Sequence, residues 1–281
     1  MAKKLVACIG TGNMGGALMK AASSVIGGAE IVVTDWDVKK GAAFASEIGA
    51  TAVSSNADAV KSARFIFLAV KPQVLSDVLA SIAGSVADRI AAGDAPVLVS
   101  IVAGASVATI RSALSVVKTE AAACPIIRLM PNTPALVAKG MIALSADPSI
   151  PAPDIAELER VLSASGIVDR VEEKYMDAVT ALSGSGPAFV YMFIEALSDA
   201  GVRAGLPRDK AQRYAARTVL GSAAMVEETG THPGALKDAV CSPAGTTIAG
   251  VAALEEHGFR GATMAAVDAA FKRAQELGKK A

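Results

Sequence analysis

"LVACIGTGNMGGAL", residues 5–18, decides how this chain folds. An apolar run ends at Ile9, and Gly10, Gly12 and Gly15 follow in G-x-G-x-x-G spacing at the opening of a helix-forming segment. In such a strand–turn–helix unit the first glycine permits the tight turn and the second lets a pyrophosphate approach the backbone. The third lets helix pack close to strand. The helix start then offers unpaired N–H groups and a positive dipole end to phosphates. Asp35, twenty residues beyond Gly15, closes the apolar run of "IVVTDWD" (31–37). A carboxylate there binds the ribose hydroxyls of NAD and repels the extra phosphate of NADP. Gly10, Thr11, Gly12, Asn13, Met14, Gly15, Asp35 and Trp36 are therefore expected to hold a dinucleotide, NADH or NADPH, with a lean to NADH. Lys39 and Lys40 pull the other way, since they could pair with that phosphate. Trp36 either lies on the adenine or packs on the surface.

The rhythm around this unit extends it into a domain. Strands are predicted at Leu5–Ile9, Ile31–Thr34, Thr51–Val53, Phe65–Ala69, Val97–Ile101, Ile126–Met130, Met141–Leu144 and Ile167–Arg170. Most are continuous apolar runs, as expected of strands covered on both faces. Helical stretches at Gly15–Ser24, Lys39–Ile48, Gln73–Ile82 and Val107–Ser115 separate the early ones, which implies a parallel sheet with helices on both sides. Asp154, after the Pro-rich "DPSIPAPD" (147–154), is expected to cap a further helix. Beyond about residue 172 only helices are predicted: Glu172–Leu182, Pro187–Ala204, Arg208–Thr229, Pro233–Val240, Thr247–His257 and Phe259–Leu277. The fold class is an α/β Rossmann-type N-terminal domain, residues 1–168, plus an all-α C-terminal domain, residues 169–281.

Two further segments end strands at the carboxyl edge of the sheet, where doubly wound folds bind ligands. Ala69, Val70, Lys71 and Pro72 of "FLAVKPQ" (67–73) would border the nicotinamide half of the cofactor; Lys71 reads equally well as a solvated turn residue. Asn132 in "RLMPNTPALVAKG" (128–140) is held between Pro131 and Pro134, and its amide could meet the nicotinamide or the substrate.

Composition narrows the partners. Lys plus Arg and Asp plus Glu each number 27, so no polybasic field points to nucleic acid or an anionic membrane. Hydrophobic residues make up 52% of the chain. No stretch gives a clean span of about 20 apolar residues, so the excess points to a large apolar interface between subunits. The start is too short in its apolar run for a signal peptide, and Cys8, Cys124 and Cys241 are widely spaced and odd in number. Together they suggest a reducing, cytoplasmic setting, with no disulfide framework and no metal site.

"KDAVCSPAGTTIAG" (237–250) interrupts the helical half with a polar turn. Together with "DAVTALSGSGPAFVYMFIEALSDAGVRAGLPRDKA" (177–211), "AVKP" and "RLMPNTP", it resembles the pyrroline-5-carboxylate reductases over nearly the whole chain. The resemblance implies reduction of the cyclic imine 1-pyrroline-5-carboxylate to L-proline with NAD(P)H. It also implies intertwined homodimers, often assembled into decamers. By the same resemblance Ser242, Ala244, Gly245, Thr246 and Thr247 bind the substrate, and Thr180 and Thr247 lie at the reacting groups. The loop "SGSGP" (183–187) either shapes that pocket or permits close helix crossing. Ala244 stands where a second glycine is common; at positive φ it would cost on the order of 1 kcal/mol. Two other readings are weighed against this one. A hydroxyacid dehydrogenase would need a general base, yet Pro187–Ala204 contains no Lys or His. A nucleotide sensor would bind NADH without consuming it.

Overall fold

In the computed structural model, which describes residues 4–280, β1 (Lys4–Ile9) lies between β2 (Ile31–Thr34) and β4 (Ala63–Leu68), parallel to both. With β3 (Thr51–Ala52), β5 (Val97–Ser100), β6 (Ile126–Met130), β7 (Gly140–Ala146) and β8 (Gly166–Arg170), the sheet order is β3-β2-β1-β4-β5-β6-β7-β8. The chain winds outward from β1 in both directions. The β1–β4 neighbourhood is thus the switch point of the sheet, where open α/β folds leave a crevice at the strand ends.

Alternation along each strand divides the core into two layers. Ala7, Ile9, Ile66, Leu68 and Leu98 point to one face, packed by α3 (Asn56–Ser62), α4 (Leu75–Ala91) and α5 (Val107–Val117). Val6, Cys8, Phe65, Phe67, Val97 and Val99 point to the other, covered by α1 (Asn13–Ile26), α2 (Val38–Ile48) and α6 (Ala152–Leu162). The central strands are covered on both faces, so they read as continuous apolar runs.

The sheet departs from the all-parallel expectation at one place. β7 runs antiparallel to β6, Arg128 pairing with Ser145, and β8 then runs parallel to β7. The connection from Met130 to Gly140 is too short for a crossover helix, so the strand must turn back. Asp154 is not the cap of α6. That helix starts at Ala152 after Pro151, and Asp154 in its first turn pairs with Arg64.

The described chain divides into two compact units, one running to Gly184 and resuming at Ala270, the other Ser185–Ala269. The first runs past residue 168 because the segment after β8 packs back on the sheet. Glu173 accepts from Arg128 at 2.9 Å and from the Val107 N–H at 2.8 Å, and Met176 is buried beside Met130 and Ala143. The second unit contains the helices α8 (Gly186–Arg203), α9 (Arg208–Thr229), α10 (Pro233–Ala239) and α11 (Thr246–Glu256); α7 (Met176–Val179) precedes it in the first unit. α12 (Phe259–Lys280) begins in the second. Among the described residues of that unit only Ser198, Ala211 and Ala215 are buried. Tyr191, Met192, Leu220, Met225, Val240 and Met264 are all at least half exposed.

Candidate active site

The glycine turn is built as its spacing requires. Gly10 adopts φ +100°, and a Cβ there would stand 2.4 Å from the Ala69 carbonyl oxygen. A Cβ on Gly15 would meet the Gly10 carbonyl oxygen at 2.5 Å and the Ala69 side chain at 2.7 Å. Gly12 is different: a Cβ there would meet nothing within 4 Å. Its backbone therefore faces open space, as a position approached by a ligand must. Asn13 and Met14 open α1, which has no side-chain cap and no acid in its first turn. Its N–H groups and dipole are left for an anion. These residues fit a dinucleotide pyrophosphate.

Asp35 is tied to this turn. One carboxylate oxygen accepts from both the backbone N–H and the hydroxyl of Thr11, each at 2.7 Å; the other accepts from the Asp37 N–H at 3.1 Å. Burial pushes its carboxyl upward, but the bonds from Thr11 and Asp37 and the Lys40 charge outweigh it and hold it below the ordinary range. Asp37 caps α2 by accepting from the Lys39 and Lys40 N–H groups. Trp36 is 93% exposed. A cleft of about 490 Å³ opens beside them, lined by Gly10, Asp35, Trp36, Asn56, Val70 and Asp77 among others.

The other expected cofactor residues divide. Ala69 donates its N–H to the Ile9 carbonyl at 2.9 Å and abuts both Gly10 and Gly15, so the start of "AVKP" is one face of the turn. Lys71 is exposed and caps the short 3-10 turn Pro72–Val74. Asn132 serves the fold, because its side-chain oxygen accepts from the Met141 N–H at 2.9 Å and so fixes the β6–β7 reversal. Sequence reasoning missed the Arg128–Glu173 pair, since partners 45 residues apart leave no local signal.

In the helical unit, Ser242-Pro243-Ala244-Gly245 forms a tight turn closed by Gly245 N–H to Ser242 O at 3.0 Å. Pro243 at its second position and φ +56° at Ala244 give it a type II pattern, which ordinarily calls for glycine at 244. Gly245 caps α11 through its backbone alone, and no acid stands in the first turn beside Thr246 and Thr247. Ser242, Thr246 and Thr247 are exposed. This is an uncapped, hydroxyl-flanked helix start suited to a carboxylate. Both histidines are used elsewhere: His232 caps α10 and His257 bonds Ala253 O at the end of α11. Thr180 opens a π-helical turn, Thr180–Gly184, and donates its hydroxyl to Met176 O at 2.7 Å. Among the described residues no group of three or more His, Cys, Asp or Glu could hold a metal, and no helix is long and apolar enough to cross a membrane.

The chain as a whole is similar to known sequences. A protein named pyrroline-5-carboxylate reductase from Synechocystis is 50% identical over 225 residues, covering 80% of this chain and 79% of its own. One of the same name from Pisum sativum is 42% identical, covering 96% and 94%. The chain belongs to the pyrroline-5-carboxylate reductase family. Residues 173–277 match the family description "pyrroline-5-carboxylate reductase dimerisation", and residues 5–104 match "NADP oxidoreductase coenzyme F420-dependent". A crystal structure of Plasmodium falciparum pyrroline carboxylate reductase with NADP bound superposes with a TM-score of 0.85 at 29% identity, covering 99% of each chain. Membership of this reductase family confirms the Rossmann-type half and the helical dimerisation half expected from sequence. The bare apolar surface of Ser185–Ala269 lies within the segment matched to dimerisation.

Proposed function

We propose that this chain reduces 1-pyrroline-5-carboxylate to L-proline with a reduced nicotinamide cofactor, NADH in preference to NADPH. The observation that carries the reading is the uncapped start of α11 behind the Ser242–Gly245 turn, inside the segment matched to the reductase family. Residues 1–168 serve as the dinucleotide-binding half, and 169–281 bind substrate and dimerise. Further assembly into a decamer of five dimers and a cytoplasmic setting belong to the same proposal.

The substrate carries one carboxylate and one imine nitrogen. The carboxylate is held by backbone N–H groups at the start of α11 with the hydroxyls of Ser242 and Thr246, a neutral cradle strengthened by the helix dipole. An imine is basic enough to enter protonated, so the bound ring is already electrophilic at carbon. A reduced nicotinamide, when bound, would supply the hydride that this carbon accepts, with the C=N π pair passing to nitrogen to leave a neutral ring amine. Thr247 accepts a hydrogen bond from the ring N–H, and Thr180 orients the reacting face. No side chain must deliver a proton, consistent with both histidines being spent on helix ends. Catalysis is then mostly positioning and electrostatic holding. Pyrroline-5-carboxylate added to enzyme and NADH should cause loss of the NADH absorbance with L-proline formed in equal amount. NADH bound but not consumed would refute the reading.

A further inference from the structure

The cleft beside the glycine turn is lined by two carboxylates, Asp35 at the end of β2 and Asp77 in the first turn of α4. No Lys or Arg lines it among the described residues. Lys39 and Lys40 head α2 nearby, and Lys40 is close enough for its charge to be felt at Asp35, yet neither forms the wall. The adjoining hollow shared with Asp35 adds a third acid, Asp58, whose charge is met by Lys61 at 2.7 Å. Asp77 stands in the first turn of α4, on the wall of the cleft.

We infer that Asp77 is a second specificity residue for the cofactor, acting with Asp35 to exclude a phosphate from the adenosine ribose. A cleft of about 490 Å³ is small enough that any group bound in it lies within roughly one Debye length, ~8 Å, of both walls. A ribose phosphate brings about −1.5 to −2 charges at pH 7. Asp35 has its oxygens committed to Thr11 and Asp37, so it repels but cannot swing away. Asp77 adds a second negative charge to a lining that, among the described residues, holds no cation to offset it. A free ribose hydroxyl meets no such penalty. The inference rests on the assignment of this cleft to the adenosine half of the cofactor.

The test uses ADP and 2′,5′-ADP, which share the nucleoside and differ in the ribose phosphate. Their dissociation constants are measured by calorimetry on the full-length protein. Quenching of Trp36, the single tryptophan and part of the cleft wall, marks where they bind. The wild type should favour ADP on the order of tenfold or more, and Asp77→Asn should remove roughly three- to tenfold of that ratio. The residual preference should shrink with added salt. An unchanged ratio in Asp77→Asn, with ADP still preferred, overturns the role of Asp77 and leaves the cleft assignment standing. Tighter binding of 2′,5′-ADP to the wild type overturns both the role of Asp77 and the NADH preference. Absence of competition between NADH and ADP overturns the cleft assignment itself.

Discussion

Thr11 gives both its backbone N–H and its hydroxyl to a single oxygen of Asp35, each at 2.7 Å. The residue inside the glycine turn and the acid that ends the next strand are thereby one unit. Thr11 is 5% exposed, so Thr11→Val leaves the shape and removes only the hydroxyl bond. The expected loss is about 1–2 kcal/mol of stability at neutral pH. Because Asp35 titrates lower in the folded state, its contribution is present above the unfolded value and fades as pH falls through the folded one. The gap between wild type and Thr11→Val in urea melts should therefore close in acid. A gap independent of pH would disconnect Thr11 from the ionisation of Asp35.

Ala244 at φ +56° is a side chain in a conformation that suits glycine. Ala244→Gly should relieve strain of roughly 1–2 kcal/mol, less about 0.5–1 kcal/mol from the freer unfolded chain. Thermal melts should move upward slightly, while Ala244→Val should lower them and raise the KM for the imine. A valine variant with unaltered KM would mean that the turn does not shape the substrate site.

Thr247 lies in the first turn of α11 with its side chain exposed. Thr247→Val should reduce kcat/KM for the imine by ~1–3 kcal/mol equivalent and leave the NADH dissociation constant as it was. Equal losses in NADH affinity would point to a folding defect. No loss in either would take Thr247 out of the reaction.

Tyr191 and Met192 on α8 are 58% and 69% exposed in the single chain. Placing a charge on an interface of this kind, as in Met192→Asp, should cost several kcal/mol of association. Light scattering should show the mass falling toward that of one chain. An unchanged mass would locate the dimer contact on another face.

Much of the nucleotide half is legible in the sequence because its signals are local. The glycine spacing fixes Gly10, Gly12 and Gly15, and short strand-forming runs, most of them apolar, mark all eight strands to within a few residues. The direction of β7 cannot be read from its composition, since a buried strand looks the same running either way. The short link from Met130 to Gly140 carries that information instead. α3 escapes the apolar pattern, although Ser55 and Asp58 form its cap through bonds of 3.1 and 2.7 Å, a spacing visible in "SNAD" (55–58). The strain at Ala244 is foreshadowed by Pro243, since a proline at the second position of a tight turn favours glycine at the third. The use of Asn132 as a strand clip and of Glu173 as the partner of Arg128 depends on tertiary neighbours, which no window of sequence contains.

Among the described residues, Ser185–Ala269 holds three buried side chains, two of them alanines, which is far too little to offset the entropy of ordering so many helical turns. We expect such a segment to need cover from another copy, so that folding of this half and encounter between chains become one event. Catalytic output at scarce expression should then rise faster than linearly with the amount of polypeptide made. Dilution alone, with no denaturant, should act as an inhibitor.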